Sequence, residues 1–294
     1  MAGRLICSIL ACVVLFLPRG CQALENPGEK EQARRPPAVR VVSLYAGHSE
    51  NILALGRGDV LVGVSQGDDP SLFPGIPRLP ARPDAERILS LAPDLVLVRP
   101  LTEALLGGTM EALERSGVPV VSLEPPSWDG MESYLSVLGE LVGAQGASAR
   151  WKSLLSGMEG PPLGPVRPRV FLESSAKGLK TCSPTSWAAH VIALAGGENA
   201  AASATPLREG SPLAEWGEER LLSLAAGGLQ VYLVQVGPMN PVSEEEVLSR
   251  PWIRGLGGAR IALVPEEMLS RPSLLRVREG VRRLSVLFSE GGNP

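Results

Sequence analysis

The chain has 294 residues, 44% hydrophobic and 20% charged, a balance that fits one large or two ordinary globular domains and excludes a disordered chain. Its formal net charge is -3 and its only four lysines are Lys30, Lys152, Lys177 and Lys180, so it carries no basic stripe for a nucleic-acid backbone. Aromatic residues make up only 4%, yet five tryptophans outnumber four phenylalanines and three tyrosines, and some of those indoles are expected to line a site.

Residues 1–23 read as a signal peptide: Arg4, an apolar run from Leu5 to Leu17 broken only by Ser8, then Gly20, Cys21 and Ala23. The run is short for a bilayer span, and Pro18 follows it. Export is implied, either with cleavage after Ala23 or with processing at Gly20-Cys21 that leaves a lipid on Cys21. Arg19 fits the second route poorly, but the reading leans to the anchored form. Cys7, Cys12 and Cys21 all lie in this segment, so Cys182 has no disulfide partner in the mature body. Residues 24–38 are polar and proline-bearing, a tether.

From Val39 the pattern becomes α/β. A β-branched run at 39–44 leads into the loop Tyr45 to Ser49 and a helix from Glu50 to Leu55. Strands follow at 59–64, 95–98 and 118–123, each preceded by a helical segment, which predicts a mainly parallel sheet covered on both faces. Ligands of such sheets meet the loops beyond the strands' carboxyl ends, here Tyr45–Ser49, Gln66–Asp69, Arg99–Thr102 and Pro125–Asp129. Helical spacing recurs at Met131–Val142 and again at Gly146–Met158, and the second helix, roughly 20 Å long, is expected to be the single strut between two lobes. The N-terminal lobe is then 39–143, the linking helix 144–160 and the C-terminal lobe 161–294. In the last, strands are expected at 169–173, 231–236 and 260–264, with helices at Ser186–Ala195 and Ser273–Ser289. The predicted fold is therefore two Rossmann-like lobes with mainly parallel sheets joined by one long helix.

A repeat supports two lobes. Glu86-Arg87-Ile88-Leu89-Ser90-Leu91-Ala92 returns as Glu219-Arg220-Leu221-Leu222-Ser223-Leu224-Ala225, and each copy precedes a buried-strand run. Only two copies exist, so the repeat reads as lobe duplication around a cleft. A carboxylate in a helix's first turn is favoured by the helix dipole and stays exposed for a partner.

Two other chemistries need weighing. Gly63-Val64-Ser65-Gln66-Gly67 matches G-x-S-x-G, with His190 downstream, but Asp68-Asp69-Pro70 follows where a hydrolase needs a helix. A bare-metal-ion receptor would need several His and carboxylate donors, and the chain has only His48 and His190. No catalysis and no resident cofactor are expected.

Several segments in order, Arg40–Leu44 with Ser49–Gly56, Leu61–Ser65, Ala85–Leu97, Leu194–Asn199 and Leu269–Pro272, resemble the substrate-binding proteins of bacterial ABC importers for vitamin B12, ferric siderophores and haem, whose two lobes are linked by a single helix. The resemblance spans about residues 39–288. It implies a periplasmic or cell-surface monomer, partnered by an ABC permease and its ATPase, that binds a cobalt- or iron-containing chelate between its lobes. It also implies that one glutamate of each lobe, Glu86 and Glu219 with Glu218 as an alternative, docks on permease arginines. Gripping a large, flat, partly apolar chelate calls for aromatic faces and a few fixed polar groups. The candidates are Tyr45, His48, Arg99, Trp128, Lys180, Trp187, Gln235, Met239 and Arg271, with His48 or Tyr45 as an axial ligand to a metal centre. Trp187 suits a core as well as a site, and Arg271 beside Pro272 could simply tie down a loop.

Overall fold

The computed structural model describes residues 36–158 and 167–289. The expected signal peptide, Cys21, most of the tether and the end of the linking segment lie outside the described residues.

The first lobe is built from β1 (Val41–Ser43), α1 (Ala46–Ala54), β2 (Leu61–Ser65), β3 (Arg78–Leu79), α2 (Ala85–Leu89), β4 (Leu95–Val98), α3 (Pro100–Leu105), α4 (Gly107–Arg115), β5 (Val120–Ser122) and α5 (Met131–Val142). Its sheet runs β3-β2-β1-β4-β5, parallel throughout. Next comes α6 (Ala147–Ser156). The second lobe has β6 (Arg169–Glu173), β7 (Thr181–Cys182), α7 (Trp187–Leu194), β8 (Glu198–Asn199), β9 (Thr205–Pro206), β10 (Leu213–Glu215), α8 (Glu218–Ala226), β11 (Val231–Val236), α9 (Glu244–Leu248), β12 (Arg260–Pro265), α10 (Glu266–Ser270) and α11 (Leu274–Ser289). Its main sheet, β12-β11-β6-β8, is also parallel, and β7, β10 and β9 form a small antiparallel sheet beside it.

The two parallel sheets share one topology. In each, the sheet's first strand in chain order (β1 or β6) lies between its second (β2 or β8) and the strand that follows the repeated heptapeptide (β4 or β11), with β5 or β12 next. The repeat therefore marks equivalent helix-strand units. The two helices differ in length: α2 stops at Leu89, where Ala92 takes a positive φ of 46° ahead of Pro93, whereas α8 continues to Ala226.

The strands explain how the lobes meet. All four residues of β4 are buried, as a strand covered on both faces requires. Leu95 and Leu97 enter the same apolar cluster as Val231 and Leu233 of β11, while Val96 and Val98 face α2 and α4, and Tyr232 and Val234 enter a separate cluster on the second lobe's outer side. One apolar layer is thus common to both lobes, filled by α1, α5 and α6 from the first and by α7 and α11 from the second.

The linking helix is shorter in its described part than the expected 144–160. The helix α6 has 10 residues, about 15 Å at 1.5 Å per residue, and lies folded back against α5 with Trp151 and Leu154 buried. Glycines permit the fold-back: Gly143 caps α5 at φ 70°, and a Cβ on Gly139 would come within 2.5 Å of the Ala147 Cβ. The lobes touch directly through a buried apolar layer.

Candidate functional site

A cleft of about 360 Å³ opens at the carboxyl edge of the first lobe's sheet, at the small end of the usual range for ligand pockets. Four successive strand ends supply its wall: Leu44, Tyr45 and Ala46 after β1, Ser65, Gln66 and Gly67 after β2, Pro80 to Pro83 after β3, and Arg99 with Thr102, Leu105 and Leu106 after β4. Arg271 reaches it from the second lobe. The topology creates the site, because parallel strands deliver all their outgoing loops to one edge.

Within the cleft, the Arg99 guanidinium lies 5.1 Å from the centre of the Tyr45 ring, a cation-π contact. Burial raises the Tyr45 pKa above the ordinary phenol value, and the nearby charges of Arg99 and Arg271 oppose that rise. Tyr45 is therefore a neutral phenol at pH 7.

Arg271 also takes part in an ionic clamp beneath the cleft. Its Nη1 donates to Glu50 Oε1 at 2.6 Å and its Nη2 to the Gly67 carbonyl at 3.4 Å. The same Glu50 oxygen accepts from Arg276 Nε at 2.9 Å, and Arg276 reaches Asp69 at 3.3 Å and Glu279 at 3.0 Å. Glu50 is wholly buried, and beside it Asn51 donates to the Pro272 carbonyl at 2.9 Å and accepts from the Leu274 N–H at 3.0 Å. Burial pulls the Arg276 pKa down, but the charge of Glu50 and the bonds to Glu50, Asp69 and Glu279 outweigh it, so this guanidinium stays charged. The sequence segments Ser49–Gly56 and Leu269–Pro272, far apart in the chain, meet here. Glu50 and Arg276 were missed as site-supporting residues because an acidic and a basic residue on separate helices carry no local signal.

The fold resembles that of solved binding proteins. It matches the periplasmic vitamin B12 binding protein BtuF of Vibrio cholerae with a TM-score of 0.60 at 21% identity, over 88% of this chain and 100% of that one. It matches the periplasmic heme binding protein HutB of Vibrio cholerae with a TM-score of 0.65 at 18% identity, over 85% and 98% of the two chains. The chain has the periplasmic solute-binding fold. By sequence it is 27% identical over 171 residues to a vitamin B12-binding protein of Vibrio campbellii, which covers 55% of this chain and 61% of the relative, so the match spans about three fifths of that protein's length. No family profile matches.

Of the nine expected ligand contacts, the solute-binding fold brings Tyr45, Arg99 and Arg271 together at the cleft. The cleft also gathers Gln66, from an expected rim loop, and Arg82, which sequence reasoning did not single out; Arg82 follows β3, a two-residue strand too short to show a period.

His48 is elsewhere. Helix α1 begins at Ala46, four residues before the expected start, which carries the imidazole into the interior with no exposed surface. Its Nε2 donates to the Val98 carbonyl at 3.2 Å and its Nδ1 accepts from the Tyr134 hydroxyl at 2.7 Å. Both nitrogens are occupied, so no lone pair remains for a metal centre. Burial lowers its pKa to about 4, so it is neutral at physiological pH.

The loop at Pro125–Asp129 does not join the other three. The Pro126 carbonyl accepts from the Trp187 indole at 2.9 Å, and Trp128 packs edge-on to Trp151 and Trp187 at 4.8 and 4.9 Å and stacks on His190 at 4.4 Å. These indoles bridge the lobes rather than line the cleft, since one loop, α6 and α7 all converge on the shared apolar layer. Gln235 is buried on β11, accepting from Ser270 at 2.8 Å. Lys180 donates to the Lys177 carbonyl within its own turn, and Met239, with an exposed side chain, has its N–H bound to Glu266 at 2.9 Å. None of these six residues lines the cleft.

Neither rival chemistry has its parts. The Ser65 hydroxyl donates to Asp68 at 2.7 Å, and both histidines of the chain lie against other groups, His48 against Tyr134 and Val98, His190 against Trp128, so Ser65 lacks the histidine base that a hydrolase of this motif uses. Among the described residues, no three His, Cys, Asp or Glu side chains converge to hold a bare metal ion.

Proposed function

We propose that this chain is the substrate-binding component of an ABC importer, working outside the cytoplasm, that captures a metal chelate at the arginine-lined cleft and hands it to a membrane permease. The observation that carries the reading is the cleft itself: lobe-one strand ends and a lobe-two arginine meet in one pocket, on a fold shared with proteins named for binding vitamin B12 and haem. Tyr45 presents a phenol face, and Arg99 and Arg271 supply fixed donors for oxygens at a chelate's edge.

Glu86 and Glu219 are the docking carboxylates of this proposal. Each is exposed in the first turn of its helix, and those helices occupy matching places in the two lobes, so a two-fold permease could read both. The neighbouring Glu218 is exposed in the same turn.

Titration of the purified protein with cyanocobalamin, haemin and a panel of ferric siderophores, followed by quenching of the intrinsic tryptophan emission, tests the proposal. Stoichiometric saturation by one chelate at sub-micromolar concentration is the expected result. Absence of saturation by every chelate refutes it.

A further inference from the structure

We infer that the cargo is an anionic chelate, carrying at least two acidic groups along one edge and an apolar face beside them. The inference rests on the importer reading and narrows it to a substrate class.

Three guanidiniums, Arg82, Arg99 and Arg271, come from three separate segments and both lobes to line one pocket, and among the described residues no aspartate or glutamate lines it. This occurs in a chain whose net charge is -3, so the cleft runs against the charge of the whole. The carboxylates nearby are already committed or turned away. Glu50 is bound to Arg271 and Arg276, Asp68 is buried against Ser65, and Glu124 is exposed outside the wall.

Arg276 has Asp69 and Glu279 as further partners, so the single charge of Glu50 serves mainly to balance Arg271. Arg82 and Arg99 form no ion pair among the described residues, and Arg99 rests only on the Tyr45 ring. Two positive charges thus remain uncompensated at the pocket. A dianionic edge would neutralise them, and each planar fork suits a carboxylate or a comparable oxygen pair.

Apart from Tyr45, Ser65, Gln66 and Thr102, the rest of the wall is apolar. Pro80, Ala81 and Pro83 lie on one stretch of it, and Leu105 of α3, 61% exposed to solvent, presents a bare aliphatic surface. A ligand that covers Leu105 while its acidic edge meets the arginines satisfies both halves of the site. A neutral chelate would leave Arg82 and Arg99 desolvated without partners.

The test compares matched probes by equilibrium titration. One arm holds haemin, a ferric citrate complex and a ferric tricatecholate; the other holds haemin dimethyl ester, cyanocobalamin and a neutral ferric trihydroxamate. Sub-micromolar binding is expected only in the acidic arm, weakening as salt is raised. The variants Arg82→Gln and Arg99→Gln are each expected to weaken it roughly ten- to a hundredfold, with an unchanged melting temperature showing that the fold is intact. Tight binding of any neutral probe, or tight anionic binding that neither variant weakens, overturns this inference while leaving the importer reading in place. No binding in either arm overturns both.

Discussion

Replacing Glu50 by glutamine removes one charge from the clamp that holds the lobes together. Glu50 has no exposed surface, the Arg276 side chain is 6% exposed and that of Arg271 20%. Removing one member of a buried ion pair costs about 3–5 kcal/mol, because the other charge is left in a poorly polarisable interior. Arg276 keeps Asp69 at 3.3 Å and Glu279 at 3.0 Å, and Arg271 is partly solvated, so the cost should fall near the lower end, about 3 kcal/mol. At roughly 2–4 °C per kcal/mol for a chain of this size, the melting temperature should drop by about 6–12 °C. Urea unfolding of Glu50→Gln beside the unchanged protein measures this directly. The pair Glu50→Leu with Arg276→Met should cost less than the sum of its parts, with a coupling of roughly 1.5 kcal/mol or more, since one of the two guanidiniums that would have been stranded is gone. A loss below about 1 kcal/mol for the single change, or strict additivity of the two, refutes the view that this cluster fastens the lobes.

Three further outcomes follow from the same contacts. His48 titrates near 4 in the folded protein against 6.5 when unfolded, so below pH 6.5 the unfolded chain takes up a proton that the native one refuses. Stability is therefore fully present above pH 6.5 and falls by about 3 kcal/mol on acidification to pH 4. Asp68, its pKa raised by burial, works in the opposite sense near the acid end, so the slope assigned to His48 is the part that vanishes in His48→Gln, measured by denaturant midpoints at several pH values; an unchanged slope in that variant contradicts the assignment. Burial raises the Cys182 thiol to about 11, and its side chain is 1% exposed, so a disulfide reagent at pH 8 should leave the native thiol untouched for hours and modify it promptly in urea. Charge reversal at both docking positions, Glu86→Arg with Glu219→Arg, should leave chelate affinity unchanged and lower uptake into vesicles carrying the permease at least about tenfold, and full uptake by that variant would remove these residues from the interface.

The sequence by itself determined the layered architecture. Leu95–Val98 and Val231–Val234 are continuous runs of apolar and aromatic residues, which suit strands buried on both faces, so their positions and the parallel sheets could be read with little error. The repeated heptapeptide located equivalent units in the two lobes, because a duplicated packing environment keeps its residue pattern. Three cleft residues, Tyr45, Arg99 and Arg271, were legible because two follow strands directly and one lies in a family-like segment.

What only the tertiary structure decided was which side chains face the cleft and which serve the join between lobes. His48, Trp128 and Trp187 had the residue types and loop positions of ligand contacts, yet they fill an interior and an inter-lobe layer. A side chain's direction depends on where its helix starts: a start at Ala46 turns His48 inward, and no single-residue signal fixes that boundary. The clamp was equally invisible, since Glu50 and Arg276 are adjacent only after two lobes have packed, and the energy that places a charge in a dry interface belongs to the partner it finds there.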